Sequence, residues 1–186
     1  MKRLLDIILS VVAILFLLFP ILLISVLILL TSKGPVIYWS DRVGKNNSTF
    51  KMPKFRTMKI DTPPLATHLL SNPGQYVTSI GSFLRKSSLD ELPQLWSILV
   101  GDMSFIGPRP ALYNQRDLID LRNQFGINKL LPGLTGWAQV NGRDQLSIPE
   151  KVQFDFEYLN RQSFWFDIKI LWLTFLRVVL RSGIAH

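Results

Sequence analysis

The densest run of chemically useful side chains lies between Arg85 and Pro110 and reads R-K-S-S-L-D-E-L-P-Q-L-W-S-I-L-V-G-D-M-S-F-I-G-P-R-P. Asp90 and Glu91 are neighbouring carboxylates at an expected helix start, where free backbone amides and the helix dipole favour anions and can keep a carboxylate ionised and nucleophilic. Successive helical residues point about 100° apart, so the two acids cannot act on one bond as a simple dyad, and divided roles suit them better. Two first-turn acids that only stabilise a helix would carry the same letters. Gly107-Pro108-Arg109-Pro110 fixes the chain on both sides of Arg109, because each proline locks its own φ and holds the preceding residue extended. A guanidinium held in this way suits bidentate contact with a phosphate, and equally a rigid solvated turn. Lys54-Phe55-Arg56 sets two cations on one side of a strand, again either a phosphate cradle or an exposed face, and Arg85 stands just ahead of the acids.

The absence of cysteine removes disulfides, thiolate metal sites and thiol nucleophiles together, and points to a reducing compartment. His68 and His186 are far apart in the chain, which disfavours a histidine metal site or a Ser-His-Asp triad. A catalytic metal would then be a hard ion held by oxygen, magnesium first. Neither G-x-x-x-x-G-K-[ST] nor G-x-G-x-x-G occurs. The 186 residues carry 21 basic and 13 acidic side chains, a net charge of +8. The basic residues are interleaved with acids and follow no recognition motif, so no nucleic-acid partner is expected.

The elements that must position these residues begin with a membrane segment. Ile7 to Ser32 holds no charge over 26 residues, about 39 Å of helix against a hydrocarbon core of roughly 30 Å. Pro20 sits near its midpoint, and basic residues flank both ends: Lys2 and Arg3 before, Lys33, Arg42 and Lys45 after. Two half-helices bent at Pro20 would dip into one leaflet and return; a proline-kinked spanning helix fits the same letters. Ser163 to Leu180, with Trp165 and Trp172 two turns apart and Asp167, Lys169 and Arg177 interrupting it, reads as a helix lying in the interface plane or as an ordinary core helix. Strands are expected over 36–39 and 50–58 around a polar 44–48 turn, a loop over 62–74, helices over 88–100, 116–125 and from 149 to 161, and turns around a short strand over 131–143. Ser88 and Glu91 have the capping-box spacing. The fold class is therefore α+β, with an apolar helical segment over 1–33, either a re-entrant helix-break-helix or a kinked spanning helix, and a small mixed domain of short strands over 34–186 ending in the interfacial helix. Basic clusters around acids beside a membrane suggest an anionic substrate whose charge must be neutralised, such as a diphosphate.

On these residues the chain resembles the bacterial sugar transferase family, the monotopic phosphoglycosyl transferases, in their small catalytic-domain-only form. The likeness runs from Lys2-Arg3-Leu4-Leu5-Asp6 through Gly34-Pro35-Val36-Ile37-Tyr38, Arg42-Val43-Gly44 and Lys54-Phe55-Arg56-Thr57-Met58. It continues through Ser88-Leu89-Asp90-Glu91-Leu92-Pro93-Gln94-Leu95, Gly101-Asp102-Met103-Ser104, Gly107-Pro108-Arg109-Pro110 and Pro132-Gly133-Leu134-Thr135-Gly136 to Ser163-Phe164-Trp165-Phe166-Asp167. The resemblance implies transfer of a sugar phosphate, with an N-acetylated amino sugar as the family tendency, from a UDP-sugar to polyprenol (undecaprenyl) phosphate with Mg2+ and release of UMP. It places this at the cytoplasmic face of the bacterial inner membrane, as the first membrane step of glycan assembly. It maps the nucleophile, which would also touch the metal, to Asp90 and its partner to Glu91, with Lys54, Arg56, Arg85 and Arg109 as candidates for the diphosphate or uridine. It also favours re-entry at Pro20. Membrane lipid is an implied partner, and a second copy or downstream glycosyltransferases are open ones. Two positions depart from the family: Phe19 stands where serine is common before the membrane proline, and Ser40 where glutamine is common. Two other functions compete. A metal-dependent glycosyltransferase would release UDP and use Asp155-Phe156-Glu157 as a loose acidic motif; a non-catalytic membrane scaffold would consume no donor.

Overall fold

The computed structural model describes residues 2–63, 72–142 and 145–179. Helix α1 (Lys2–Thr31) carries Pro20 within it and continues through it as one helix, where two half-helices were expected. It is long and apolar enough to cross a membrane. One stripe of it, Asp6, Ser10, Ala13, Ile14, Leu17, Ile21, Ile24 and Ile28, faces the rest of the chain, the three- and four-residue spacing that puts side chains on one helix face. The other faces stay apolar and bare, with Leu15 at 68%, Phe16 at 83% and Phe19 at 75% exposure. Such a surface suits lipid rather than water.

After α1 come β1 (Ile37–Val43) and β2 (Thr49–Phe55), antiparallel with Tyr38 opposite Lys54 and Arg42 opposite Phe50. The turn between them is the expected polar one, and Asn46 and Asn47 take the left-handed backbone that asparagine tolerates. Short helices α2 (Gly81–Lys86) and α3 (Gln94–Val100) follow, then β3 (Ser104–Ile106) and β4 (Ala111–Leu112). Helix α4 (Arg116–Gln124) leads to β5 (Gly133–Thr135), and α5 (Trp137–Val140), α6 (Ile148–Arg161) and α7 (Phe164–Val179) complete the described chain. The strands form an antiparallel sheet β2-β1-β4 and a parallel pair β3-β5. The fold is thus the mixed helix-and-strand type expected, though α5 stands where only turns were expected. Residues 64–71, most of the expected 62–74 loop, lie outside the described residues.

The single helix expected from 88 to 100 is replaced by two pieces. Leu89–Glu91 is a 3-10 turn, and α3 begins only after Pro93, which a helix start tolerates because the missing amide would be unpaired there anyway. Ser88 is left-handed (φ 57°) and makes no side-chain cap, so the capping box does not form. The same spacing does form one at Ser147 and Glu150, where Ser147 has the extended backbone a cap requires and donates its amide to Glu150 Oε2 at 2.7 Å.

Both ends of α1 are tied to the domain. Lys2 uses its three donors on Ile106 O (2.9 Å), Tyr158 Oη (2.6 Å) and Asp167 Oδ2 (2.8 Å). Arg3 donates to the carbonyls of Ile98 and Leu99 at the end of α3, and buried Asp6 accepts from Ser104 Oγ and the Phe105 amide, both at 3.1 Å. At the far end, Ile24 and Ile28 pack with Phe55, Leu84, Leu89 and Leu92. Leu89 and Leu92 bracket the two acids, so the last turns of the apolar helix form the floor under them. Helix α7 divides the two readings of its sequence between its faces: Phe166 and Ile170 are buried, whereas Trp165 and Trp172 are 77% and 59% exposed.

Candidate active site

Three segments converge on one cluster: Lys54 from the end of β2, Asp90 and Glu91 from the 3-10 turn, and Arg109 from the loop between β3 and β4. Glu91 Oε1 accepts from Lys54 Nζ at 2.9 Å and from Arg109 Nη2 at 2.6 Å. Asp90 Oδ2 lies 3.9 Å from Lys54 Nζ, beyond hydrogen-bond reach. The two acids differ in their surroundings: among the described residues Glu91 takes a direct contact from each cation, and Asp90 takes a hydrogen bond from neither.

The electrostatics follow this asymmetry. Burial pushes Glu91 up, but Arg109 and Lys54, by charge and by hydrogen bond, overcome it and hold the carboxyl well below its ordinary value. Burial also raises Asp90, the charge on Glu91 adds to that, and the pulls of Lys54, Arg85 and Arg109 do not cancel it. The expectation that the helix start keeps a carboxylate ionised is thus met at Glu91 and not at Asp90. Asp90 instead lies in a tight turn, largely buried and without a close donor, and is the more basic of the two acids. A more basic carboxylate is a better nucleophile once ionised, and an oxygen without a partner is open to an incoming group.

Arg85 donates from Nε to Thr57 Oγ1 at 2.9 Å and is close enough for its charge to act on Asp90. It belongs to the site. Arg56 does not join the cluster: β2 ends at Phe55, the strand alternation ends with it, and the Arg56 guanidinium donates from Nε to Pro35 O at 2.8 Å.

Three residues that sequence reasoning did not place in the site hold Arg109 in position. Arg122 forms two hydrogen bonds to Asp155 Oδ2 (3.0 and 2.6 Å) and turns its remaining arm to Arg109 O at 2.8 Å. Arg42 donates to Pro110 O at 3.2 Å and, from Nε, to Ser40 Oγ at 3.1 Å, which gives the unusual serine at position 40 a partner. Burial and the charge of Arg109 lower Arg42 to about 10, so it remains cationic at neutral pH. From below, Gly107 and Gly133 pack backbone on backbone: a Cβ on Gly133 would stand 2.1 Å from Gly107 N, and one on Gly136 2.1 Å from Gly107 O. Only glycine allows this approach, which fixes the Gly-Pro-Arg-Pro loop on the Pro-Gly-Leu-Thr-Gly segment. The sole sequence signal for Arg122 and Asp155 was their charge; the pairing spans 33 residues.

The loose acidic motif of the competing glycosyltransferase is committed elsewhere. Asp155 is 1% exposed and paired with Arg122, while Glu157 accepts from Trp137 Nε1 at 2.8 Å and from Arg161. Among the described residues no group of three or more His, Cys, Asp or Glu side chains is arranged to hold a metal ion. The one carboxylate of the cluster that neither cation hydrogen-bonds is Asp90, an oxygen donor of the kind a hard cation takes.

The model of the family described as bacterial sugar transferase matches residues 1–181. The UDP-glucose:undecaprenyl-phosphate glucose-1-phosphate transferase of Escherichia coli (strain K12) is 42% identical over 183 residues, 94% of this chain and 39% of that protein. The protein of the same name from Xanthomonas campestris pv. campestris is 38% identical over 186 residues, 96% of this chain and 38% of its own length. The exopolysaccharide production protein ExoY of Sinorhizobium fredii is 36% identical over 197 residues, 98% of this chain and 87% of its own. The chain spans about two fifths of the length of the first two.

Proposed function

Because the chain belongs to the bacterial sugar transferase family, we propose that it transfers a sugar 1-phosphate from a UDP-sugar to polyprenol phosphate through a phosphosugar carried on Asp90. The observation that carries this reading is the unequal pair: Glu91 clamped by Lys54 and Arg109, Asp90 without a close donor. In the first step an Asp90 carboxylate oxygen bonds to the β-phosphorus as the bond from that phosphorus to the oxygen bridging to the α-phosphate breaks. UMP leaves with that oxygen and both bonding electrons. In the second step a phosphate oxygen of the polyprenol phosphate bonds to the same phosphorus, and the acyl phosphate bond breaks to restore the Asp90 carboxylate. The product is a polyprenol diphosphate sugar.

The chain's own groups answer the main difficulty of these steps, an anion attacking an anion. Arg109, Lys54 and Arg85 gather positive charge around the phosphorus, and the buried setting makes each worth more than in water. Glu91 holds two of those cations in place before substrate arrives, so they need not reorganise during reaction. Mg2+, which Asp90 would hold, would neutralise further charge on the diphosphate.

The lipid acceptor requires membrane delivery. Helix α1 contacts one domain at both ends, which supports the reading that the helix, bent at Pro20 while staying helical, enters one leaflet and returns, with Lys2, Arg3 and Lys33 on the cytoplasmic side, where positive charge is favoured. The exposed tryptophans of α7 would lie at the same surface. The named relatives hand on glucose 1-phosphate, so UDP-glucose is the first donor to test, beside UDP-linked N-acetylated amino sugars. The test is intact-protein mass spectrometry with donor alone. A gain of one hexose phosphate, or its N-acetylated equivalent, on the peptide holding Asp90, with one UMP released per chain, is expected. Product formed on adding lipid without any such adduct would remove Asp90 as the carrier, and release of UDP would remove phosphosugar transfer.

A further inference from the structure

Away from Asp90, a cleft of about 280 Å³ opens beside the first turn of α1, lined by Lys2, Arg3, Asp6, Lys45, Lys129 and Gln162. The single acid in its wall is already satisfied by Ser104 and the Phe105 amide. Lys2 has used its three donors and shares its charge with Asp167. Arg3 bonds two carbonyls, which leaves three of a guanidinium's five N–H groups. Lys45 and Lys129 are exposed, and neither ammonium meets an ion-pair or hydrogen-bond partner among the described residues. The cleft therefore presents uncommitted donors and surplus positive charge.

Its place in the fold narrows what such a site takes. The charged turn runs directly into the apolar part of α1, where Leu5 and Leu9 are 37% and 44% exposed. Counted from Lys2 they lie three and seven residues on, along its face of the helix. A ligand with a phosphate at one end and hydrocarbon at the other would meet donors in the cleft and apolar surface beside it. The backbone from Ile106 in the cleft wall to Arg109 is three residues, at most about 11 Å, and Arg109, which does not line the cleft, bonds Glu91. The cleft is thus a neighbour of the acid pair rather than part of it.

We propose that this cleft is a second anion site, one that binds the phosphate of a membrane lipid headgroup beside the N-terminal turn of α1. Lys45 and Lys129 contact the phosphate, Arg3 supplies further donors, and Leu5 and Leu9 meet the first part of the acyl chain. A lipid held there would fix the depth at which α1 and the domain sit at the bilayer surface.

The test uses the full chain in neutral detergent with native mass spectrometry, offering phosphatidylglycerol or phosphatidylcholine, with glycerol 1-phosphate as a soluble competitor. The chain should retain phosphatidylglycerol in preference to phosphatidylcholine. Charge reversal at both exposed lysines (Lys45→Glu with Lys129→Glu) should weaken that retention roughly tenfold or more, given the usual contribution of each basic residue near an anionic surface. Lys45→Gln with Lys129→Gln should give a smaller loss. The control Lys59→Glu with Lys86→Glu makes the same charge change on exposed lysines outside the cleft and should leave retention within about threefold. Displacement by glycerol 1-phosphate at concentrations matching the lipid would keep the anion site but assign it to a free phosphate rather than a lipid. Equal retention by the chain and its Lys45/Lys129 variants, or equal loss in the control, would overturn the proposal.

Discussion

Two buried acid–base clusters lie on either side of Arg109, and they are built on opposite plans. In one, Asp155 is 1% exposed and meets Arg122 through two nitrogens, while the third arm of Arg122 is taken by the Arg109 carbonyl. Every strong donor has an acceptor. In the other, two carboxylates face Lys54 and Arg109, and both cations give their short contacts to Glu91. Buried charge is common to both, so buried charge alone does not mark a reactive centre. The difference is unequal satisfaction: the first cluster is complete and holds a loop, and in the second neither Lys54 nor Arg109 gives Asp90 a hydrogen bond, the feature on which the proposed reaction rests.

The largest effect that tests this contrast is chemical. Asp90→Asn should lower UMP release by roughly 10⁴-fold or more, as loss of a covalent nucleophile does, while the protein still folds and binds membrane. Retained turnover in a donor-consumption assay would equate the two clusters and sink the distinction. Arg109→Ala should follow with a loss of roughly 10² to 10³ in kcat, the scale for removing one donor aimed at developing charge. Asp155→Asn reverses the pattern. Breaking a complete buried pair should lower unfolding stability by about 3–5 kcal/mol, seen as a clear drop in the thermal midpoint in detergent, whereas Asp90→Asn should leave that midpoint unchanged or higher. An equal loss of stability in both variants would mean that Asp90 is as structurally committed as Asp155.

Acid titration separates the neighbours within the active pair. Burial raises Asp90 and, despite burial, the two cations depress Glu91. In the proposed reaction attack requires ionised Asp90, so UMP release should fall as pH drops through a value above that of an ordinary aspartate. For stability the signs are opposite. The depressed Glu91 contributes stability present above its unfolded value and lost as pH falls through its folded one. The raised Asp90 costs stability when ionised, and that cost disappears as pH falls through its folded value. Lys54→Met removes a cation from both acids and should move the acid limb of the rate profile to higher pH, whatever it does to the maximum. A limb that stays in place would assign it to some group other than Asp90.

The parts of this arrangement that the sequence made legible are those fixed by neighbours in the chain. Adjacent acids must diverge, prolines on both sides of Arg109 must stiffen it, and a long uncharged run makes a helix long and apolar enough to cross a membrane. The parts that were not legible depend on distant partners or on one backbone angle. Nothing local in Arg122 or Asp155 says that they meet across 33 residues to hold Arg109. Ser88 and Ser147 each precede a glutamate by three residues, but left-handed backbone at Ser88 disables one cap and extended backbone at Ser147 permits the other. The helix-start argument could not say which acid would be held ionised; the lowered pKa belongs to Glu91, because the cations that decide it come from β2 and from the loop after β3.

Arg56 gives the smallest and most selective test. The family likeness and the two-residue spacing from Lys54 both put it among the phosphate ligands, yet its guanidinium turns to the Pro35 carbonyl, where β2 has already ended. A partly exposed hydrogen bond of this kind contributes about 0.5–1.5 kcal/mol and lies apart from the carboxylate pair. Arg56→Ala should therefore change kcat for UMP release by less than about threefold, against the hundredfold or greater loss at Arg109. Steady-state assays of the two variants with one donor decide the matter: a loss at Arg56 comparable to that at Arg109 would mean that the guanidinium leaves Pro35 when donor binds and joins Arg85, Lys54 and Arg109 around the diphosphate.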